Sequence, residues 1–204
     1  RIHKVIELGC GIGETTSLLL QHLPQIEEIF SVDISREAIQ RARDSEKDDR
    51  IQFIIGDAHD LSKLVSYIEV DLVVALNTVH LLEDKGKVFM QAKEMLKEDG
   101  LIAFNTSYIK DNHWENQRIS LSFAKQLLTI LRADYLHLAE NLQRARLLPY
   151  HKQLTSAAYT ELLGKCGFVS IESKVVPQTV VIDDYLLGFF LDSDILPGIE
   201  GEVR

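Results

Sequence analysis

The stretch Glu7-Leu8-Gly9-Cys10-Gly11-Ile12-Gly13-Glu14 sets glycines at alternate positions directly after the apolar pair Val5-Ile6. A glycine-rich turn leaving a strand commonly cradles a ligand, because a backbone without Cβ atoms can approach it closely. Two ligand classes are excluded at once. A nicotinamide or flavin turn needs G-x-G-x-x-G, which would put glycine at position 14, where Glu14 stands. A carboxylate in the first helical turn would also repel a pyrophosphate from the positive end of the helix dipole. A phosphate-binding P-loop would need Gly-Lys-Ser/Thr, and none follows. Other polar residues with chemical potential are Asp33 in S-V-D-I-S, Asp57 in I-G-D-A-H-D, and Asn77 and His80 in A-L-N-T-V-H. Cys10, small and set between glycines, reads as backbone spacing and not as a nucleophile; Cys166 reads as packing, and His59 as a solvated residue at a pocket rim.

These residues need elements to carry them. Four β-rich runs, 5–8, 29–33, 51–57 and 70–76, recur at intervals of about 20 residues, and a fifth, 101–106, follows a longer gap. Runs this apolar, without clean alternation, suit strands covered on both faces, as in a parallel sheet. Helical stretches lie between them: 15–23 stops before Pro24, 35–43 opens on the cap Ser35, and 85–96 closes on Asp99-Gly100. The alternation predicts right-handed crossovers and a doubly wound, mostly parallel α/β sheet, with ligands at the carboxyl ends of its strands. The segment 111–148 breaks the rhythm, because apolar residues from Leu121 to Ala145 recur at alternate steps of three and four. It predicts a helical insertion after the fifth strand, packed on its own domain; a lid over a substrate pocket or a homodimer contact made by the same stripe are the alternatives. Beyond it come a helix over 156–165, a strand over 168–176 and a helix-like piece over 183–191. All of 1–204 reads as a single domain.

Composition narrows the partners. The 204 residues are 46% hydrophobic and carry 22 Lys plus Arg against 31 Asp plus Glu, a formal charge of -9 with no basic block. That balance argues against a grip on nucleic acid or anionic lipid. No apolar run approaches the roughly 20 residues of a membrane helix. Two cysteines make no disulfide framework, so a reducing cytoplasm is expected.

Glu7-x-Gly9-x-Gly11-x-Gly13, Asp33 ending the second strand, Asp57 ending the third, Asn77 to Leu82 after the fourth, D-G-L-I-A-F-N-T, and Glu161 to Phe168 occur in one order. Together they resemble the class I S-adenosylmethionine-dependent methyltransferases of small-molecule type, over about 2–110 and 154–176. The resemblance implies a Rossmann-like fold, S-adenosylmethionine as cofactor and methyl transfer to a small, partly apolar molecule. It implies Gly9, Cys10 and Gly11 as close backbone contacts of the cofactor, and Asp33 as acceptor for both ribose hydroxyls. Asp57 and the backbone of Ala58 would meet the adenine edge, and Ile34 would pack on the ring. Glu7 would orient the glycine loop or meet the ammonium through water, and the Asn77 carbonyl would meet that ammonium. The cofactor's cationic character suits acceptors and not basic side chains.

Methyl transfer from a sulfonium is an in-line displacement to which positioning alone can contribute roughly 7 to 11 kcal/mol. A base is needed only for an acceptor that must shed a proton. His80 is the leading candidate, against a packed, structural histidine; Tyr108, His113 and His151 rank below it. The prolines of amino-directed enzymes are absent after the fourth strand, and Asn77 and Asn105 are neutral where a magnesium site would be acidic. A metal is not expected. A catalytically silent cofactor binder or interaction module on the same fold is the alternative function. Two departures from the family are expected to matter: no helix precedes the first strand, and 179–182 either forms a short last strand or the chain is trimmed at both ends.

Overall fold

A computed structural model describes residues 2–65, 69–106 and 154–174. The described residues through Ile171 belong to one compact unit, 1–113 with 146–171. In chain order its elements are β1 (Lys4–Leu8), α1 (Glu14–His22), β2 (Glu28–Asp33), α2 (Arg36–Ser45) and β3 (Ile51–Ile55). A 3-10 turn (Ala58–Asp60), the short α3 (Leu61–Leu64), β4 (Val70–Ala75) and a second 3-10 turn (Val79–Leu81) follow. The last are α4 (Lys85–Met95), β5 (Leu96–Phe104) and α5 (Ser156–Lys165).

The five strands form one parallel sheet in the order β3-β2-β1-β4-β5. The unbroken apolar runs are explained by burial on both faces. Val5, Ile29, Leu72 and Val74 pack on one side with Leu20 of α1, while their neighbours Ile6, Phe30 and Val73 pack on the other with Leu61, Phe89 and Leu163. Adjacent strand residues therefore feed opposite cores. Phe89 is fully buried and stacks on Phe104, the last residue of β5, which in turn meets Tyr159 of α5 at a centroid distance of 5.4 Å.

Helix ends follow local chemistry. Ser35 caps α2 by accepting from the Ala38 amide, Asp84 caps α4 through the Lys87 amide and Thr155 caps α5 through the Ala158 amide. At the end of α5, Gly167 takes a left-handed φ of 84°. Its amide bonds Gly164 and that of Phe168 bonds Leu163, the paired closure that a C-terminal glycine permits.

Two expectations shift. β5 begins at Leu96, which pairs with Val70 before a register irregularity brings Leu101 opposite Leu72. Asp99-Gly100 thus lies within the strand, and Met95 ends the helix. Over 168–174 the described residues form no strand: Ser170 has a left-handed φ of 54°, which interrupts the extended backbone a strand needs. The expected insertion over 111–148, the run 179–182 and the helix-like piece over 183–191 lie outside the described residues, as do Tyr108, His113 and His151.

Candidate functional site

The glycine turn lies at the carboxyl end of β1 and is tied to the end of β2. Gly9 and Cys10 amides both donate to the Val32 carbonyl, at 2.7 and 3.2 Å. Gly9, Gly11 and Gly13 have φ of 71°, 54° and 91°, all in the left-handed region that glycine adopts at little cost. Their reasons for being glycine differ. A Cβ on Gly9 would collide with the Thr78 side chain arriving from the β4 tip. Among the described residues, a Cβ on Gly11 would meet nothing within 4 Å. So the requirement at Gly9 is set by the protein's own packing, whereas Gly11 borders open space.

Asp33 is joined directly to this turn. Its Oδ2 accepts the Gly11 amide and its Oδ1 the Ser35 amide, each at 2.8 Å. A carboxylate offers about four acceptor positions, so about two remain. Next to it Ile34 is 69% exposed. The neighbouring strand end is linked through the Gly56 amide, which donates to the Asp33 carbonyl at 2.9 Å.

Glu7 is 1% exposed, beneath the turn. Its Oε2 accepts Thr16 Oγ1 at 2.5 Å and Ser31 Oγ at 2.8 Å, joining β1 to α1 and β2, while its Oε1 is buried with no hydrogen-bond partner among the described residues. Burial raises its carboxyl above the usual range, against the lowering pull of Thr16 and Ser31. Burial, and then the charges of Glu7 and Asp33, push the Cys10 thiol far up, as befits a packing residue.

Asp57 is exposed at the end of β3 and initiates the following 3-10 turn. Its Oδ1 accepts the His59 amide at 2.8 Å and meets His59 Nδ1 at 2.5 Å; the amide bond chiefly holds the carboxyl below its ordinary value. His59 is thus no solvated rim residue, since its Nε2 also accepts the Asp84 amide at 3.0 Å. At the β4 tip Asn77 takes a left-handed φ of 53°, which asparagine tolerates, and its amide donates to Asn105 Oδ1 at 2.6 Å. Thr78 Oγ1 bonds the Leu76 carbonyl at 3.0 Å and lies 3.4 Å from that of Gly9.

His80 is buried, with Nδ1 3.3 Å from Thr106 Oγ1 at the β5 end. Burial, and then the nearby Lys85 charge, lower its pKa to about 4, so the ring is neutral at pH 7. Lys85 is itself buried and donates to the Leu82 carbonyl at 2.8 Å. A cavity of about 530 Å³ lies at the start of α4, lined by Glu83, Asp84, Lys85 and Gly86 with Leu154 and Leu162. None of the glycine-turn residues lines it.

Glu7, Gly9, Cys10, Gly11, Asp33 and the Asn77-Thr78 tip therefore form one connected group, with Asp57 and Ala58 at the adjoining strand end and His80 buried behind the β4 tip. Thr78 and His59 are partners that sequence reasoning missed. Among the described residues, no group of three or more His, Cys, Asp or Glu could hold a metal, and no helix is long and apolar enough to cross a membrane. Acceptors, an exposed apolar side chain and open space above Gly11 fit a cationic nucleoside better than a phosphate.

Comparison with known proteins bears on the same region. A family model described as a methyltransferase domain matches residues 3–160. The malonyl-(acyl-carrier protein) O-methyltransferase of Acetivibrio thermocellus is 31% identical over 102 residues, 50% of this chain and 35% of that protein. The trans-aconitate 2-methyltransferase of Deinococcus radiodurans is 28% identical over 98% of this chain and 66% of its own. The chain thus spans about a third of the length of the malonyl relative. In fold it is similar to the plantazolicin methyltransferase BpumL, solved in complex with a triazolic desmethylPZN analog and SAH, with a TM-score of 0.56, 19% identity and coverage of 80% of this chain and 55% of that one.

Proposed function

We infer that this chain, which belongs to the methyltransferase-domain family, transfers a methyl group from S-adenosylmethionine to a carboxylate oxygen of a small acidic acceptor. The observation that carries the cofactor reading is Asp33: a strand-end carboxylate bonded to the Gly11 amide, with acceptor capacity to spare beside open space. Asp33 would accept the ribose hydroxyls, a charge-assisted and therefore strong arrangement. Ile34 would cover one face of the adenine, and Asp57 with the Ala58 backbone would meet its edge. Gly9, Cys10 and Gly11 would line the methionine and ribose portions with backbone alone. Glu7, with one oxygen lacking a partner, and the Asn77 carbonyl would face the ammonium side. The cofactor, when bound, supplies a methyl group activated by its sulfonium.

The acceptor class rests on two supports. The malonyl and trans-aconitate relatives are named for acceptors that are carboxylic acids. A carboxylate has already lost its proton at pH 7, so the chain need only orient it in line and exclude water. His80 would serve as base for an acceptor that carries a proton. With its pKa near 4 it would be a weak one, which favours the acid.

The test is labelled-methyl transfer to malonyl thioesters, trans-aconitate and hydroxyl-bearing controls, beside calorimetry with S-adenosylhomocysteine. Transfer confined to the acids supports the proposal. Binding without transfer to any acceptor would point to the silent binder, and transfer to hydroxyls that is lost in His80→Ala would restore a base mechanism.

A further inference from the structure

We propose that His59 is a positioning residue for the adenine subsite: it occupies one oxygen of Asp57, leaves the other for the exocyclic amine of the cofactor, and anchors that acid to the start of α4. This rests on the cofactor reading above.

The two ring contacts determine where the imidazole proton lies. The Asp84 main-chain N–H can only donate, so Nε2, 3.0 Å away, must present a lone pair. The ring proton then belongs to Nδ1, which donates to Asp57 Oδ1 at 2.5 Å. The same Oδ1 accepts the His59 amide at 2.8 Å, so its two lone pairs are both used. Among the described residues Oδ2 accepts nothing, and the carboxylate cannot rotate without giving up bonds to both the ring and the backbone of His59.

The anchor continues into α4. The His59 carbonyl accepts Gln91 Nε2 at 2.8 Å, and Gln91 Oε1 accepts the Ser62 amide and hydroxyl, each at 3.0 Å. Asp84, whose amide meets the ring, is also the residue that caps α4. The cap that starts α4, the middle of that helix and the acid at the β3 end are therefore held by one residue. Nearby charges compensate one another, since Asp60 pairs with Lys63 at 2.8 Å and Lys87 at 3.7 Å.

Calorimetry on the full chain with two probes tests this: S-adenosylhomocysteine, and its inosine counterpart in which oxygen replaces the exocyclic amine. Wild type should prefer the amine-bearing probe by about tenfold, the scale of one charge-assisted hydrogen bond. In His59→Phe that preference should collapse, with little change for the inosine probe. His59→Asn, whose side-chain amide can take the place of Nδ1, should restore it. If the Phe variant does not fold, His59→Gln, which cannot reach Asp57 in the same way, should show the collapsed preference. An unchanged preference in the Phe or Gln variant, or an equal loss for both probes, would overturn the proposal. A wild type that binds neither probe would instead remove the cofactor reading, and one that binds both alike would remove the adenine role of Asp57.

Discussion

Where the five strands begin, a row of polar contacts runs across the whole sheet. Gln52 of β3 donates to Glu28 of β2 at 2.7 Å, and Glu28 pairs with Lys4 of β1 at 3.4 Å. The His3 and Lys4 amides donate to Asp71 of β4, each at 2.8 Å, and Asp71 pairs with Lys97 of β5. Burial alone would raise the Asp71 carboxyl, but Lys97 and the two amides outweigh it and hold the pKa at about 2. Where the strands end, the same residue types are left short of donors. Glu7 keeps a buried oxygen without a partner, and among the described residues no Lys or Arg pairs with Glu7 or Asp33. At the first edge Asp71 is matched by two amides and a lysine; at the second, Glu7 and Asp33 accept only neutral donors, and the proposed cofactor would use the acceptor positions that remain.

Substitutions should separate the two edges. Asp71→Ala leaves two amides and Lys97 unanswered and should cost about 2 to 3 kcal/mol in denaturant unfolding, while the folded fraction binds S-adenosylhomocysteine as wild type does. Weakened binding there would mean that the edges are coupled. Acid titration should resolve the two edges in turn. His80, moved from 6.5 to about 4, takes up its proton first in the unfolded chain, so its contribution is full above pH 6.5 and declines as pH falls toward 4. Asp71, moved from 3.8 to about 2, contributes above pH 3.8 and loses that contribution as pH falls through about 2. Stability curves of His80→Phe should lack the upper leg and those of Asp71→Asn the lower; a single shared transition would contradict the separation. Glu7→Gln should have the smallest effect on stability, within about 1 kcal/mol, because the carboxyl is already disfavoured as a charge, yet it should weaken cofactor binding. Severe destabilisation would place Glu7 with Asp71 as a structural acid.

What the sequence made legible was local. The apolar runs located four strands to within one or two residues; in β1, β2 and β4 burial on both faces leaves little polar alternation to misread, and Ser35 marked its helix start as its side chain requires. The glycine spacing and the acids at 33 and 57 located the strand ends. The missed features depend on partners far along the chain. Gly9 is a glycine because Thr78, 69 residues later, fills the space a Cβ would need. His59 reaches an amide 25 residues away, and Asp71 reaches Lys4 across 67. Pairing that depends on such contacts has no signature in spacing. Asp99-Gly100 misled for a related reason: a helix-end signal and a strand irregularity use the same residue types, and only the Leu96–Val70 pairing decides between them.

The most direct measurement is a crystal structure of the chain with S-adenosylhomocysteine bound. The account predicts both ribose hydroxyls within hydrogen-bond distance of the Asp33 carboxylate and the adenine between Ile34 and Asp57. A nucleoside seated elsewhere, for example in the cavity between the start of α4 and α5, with Asp33 untouched, would contradict it.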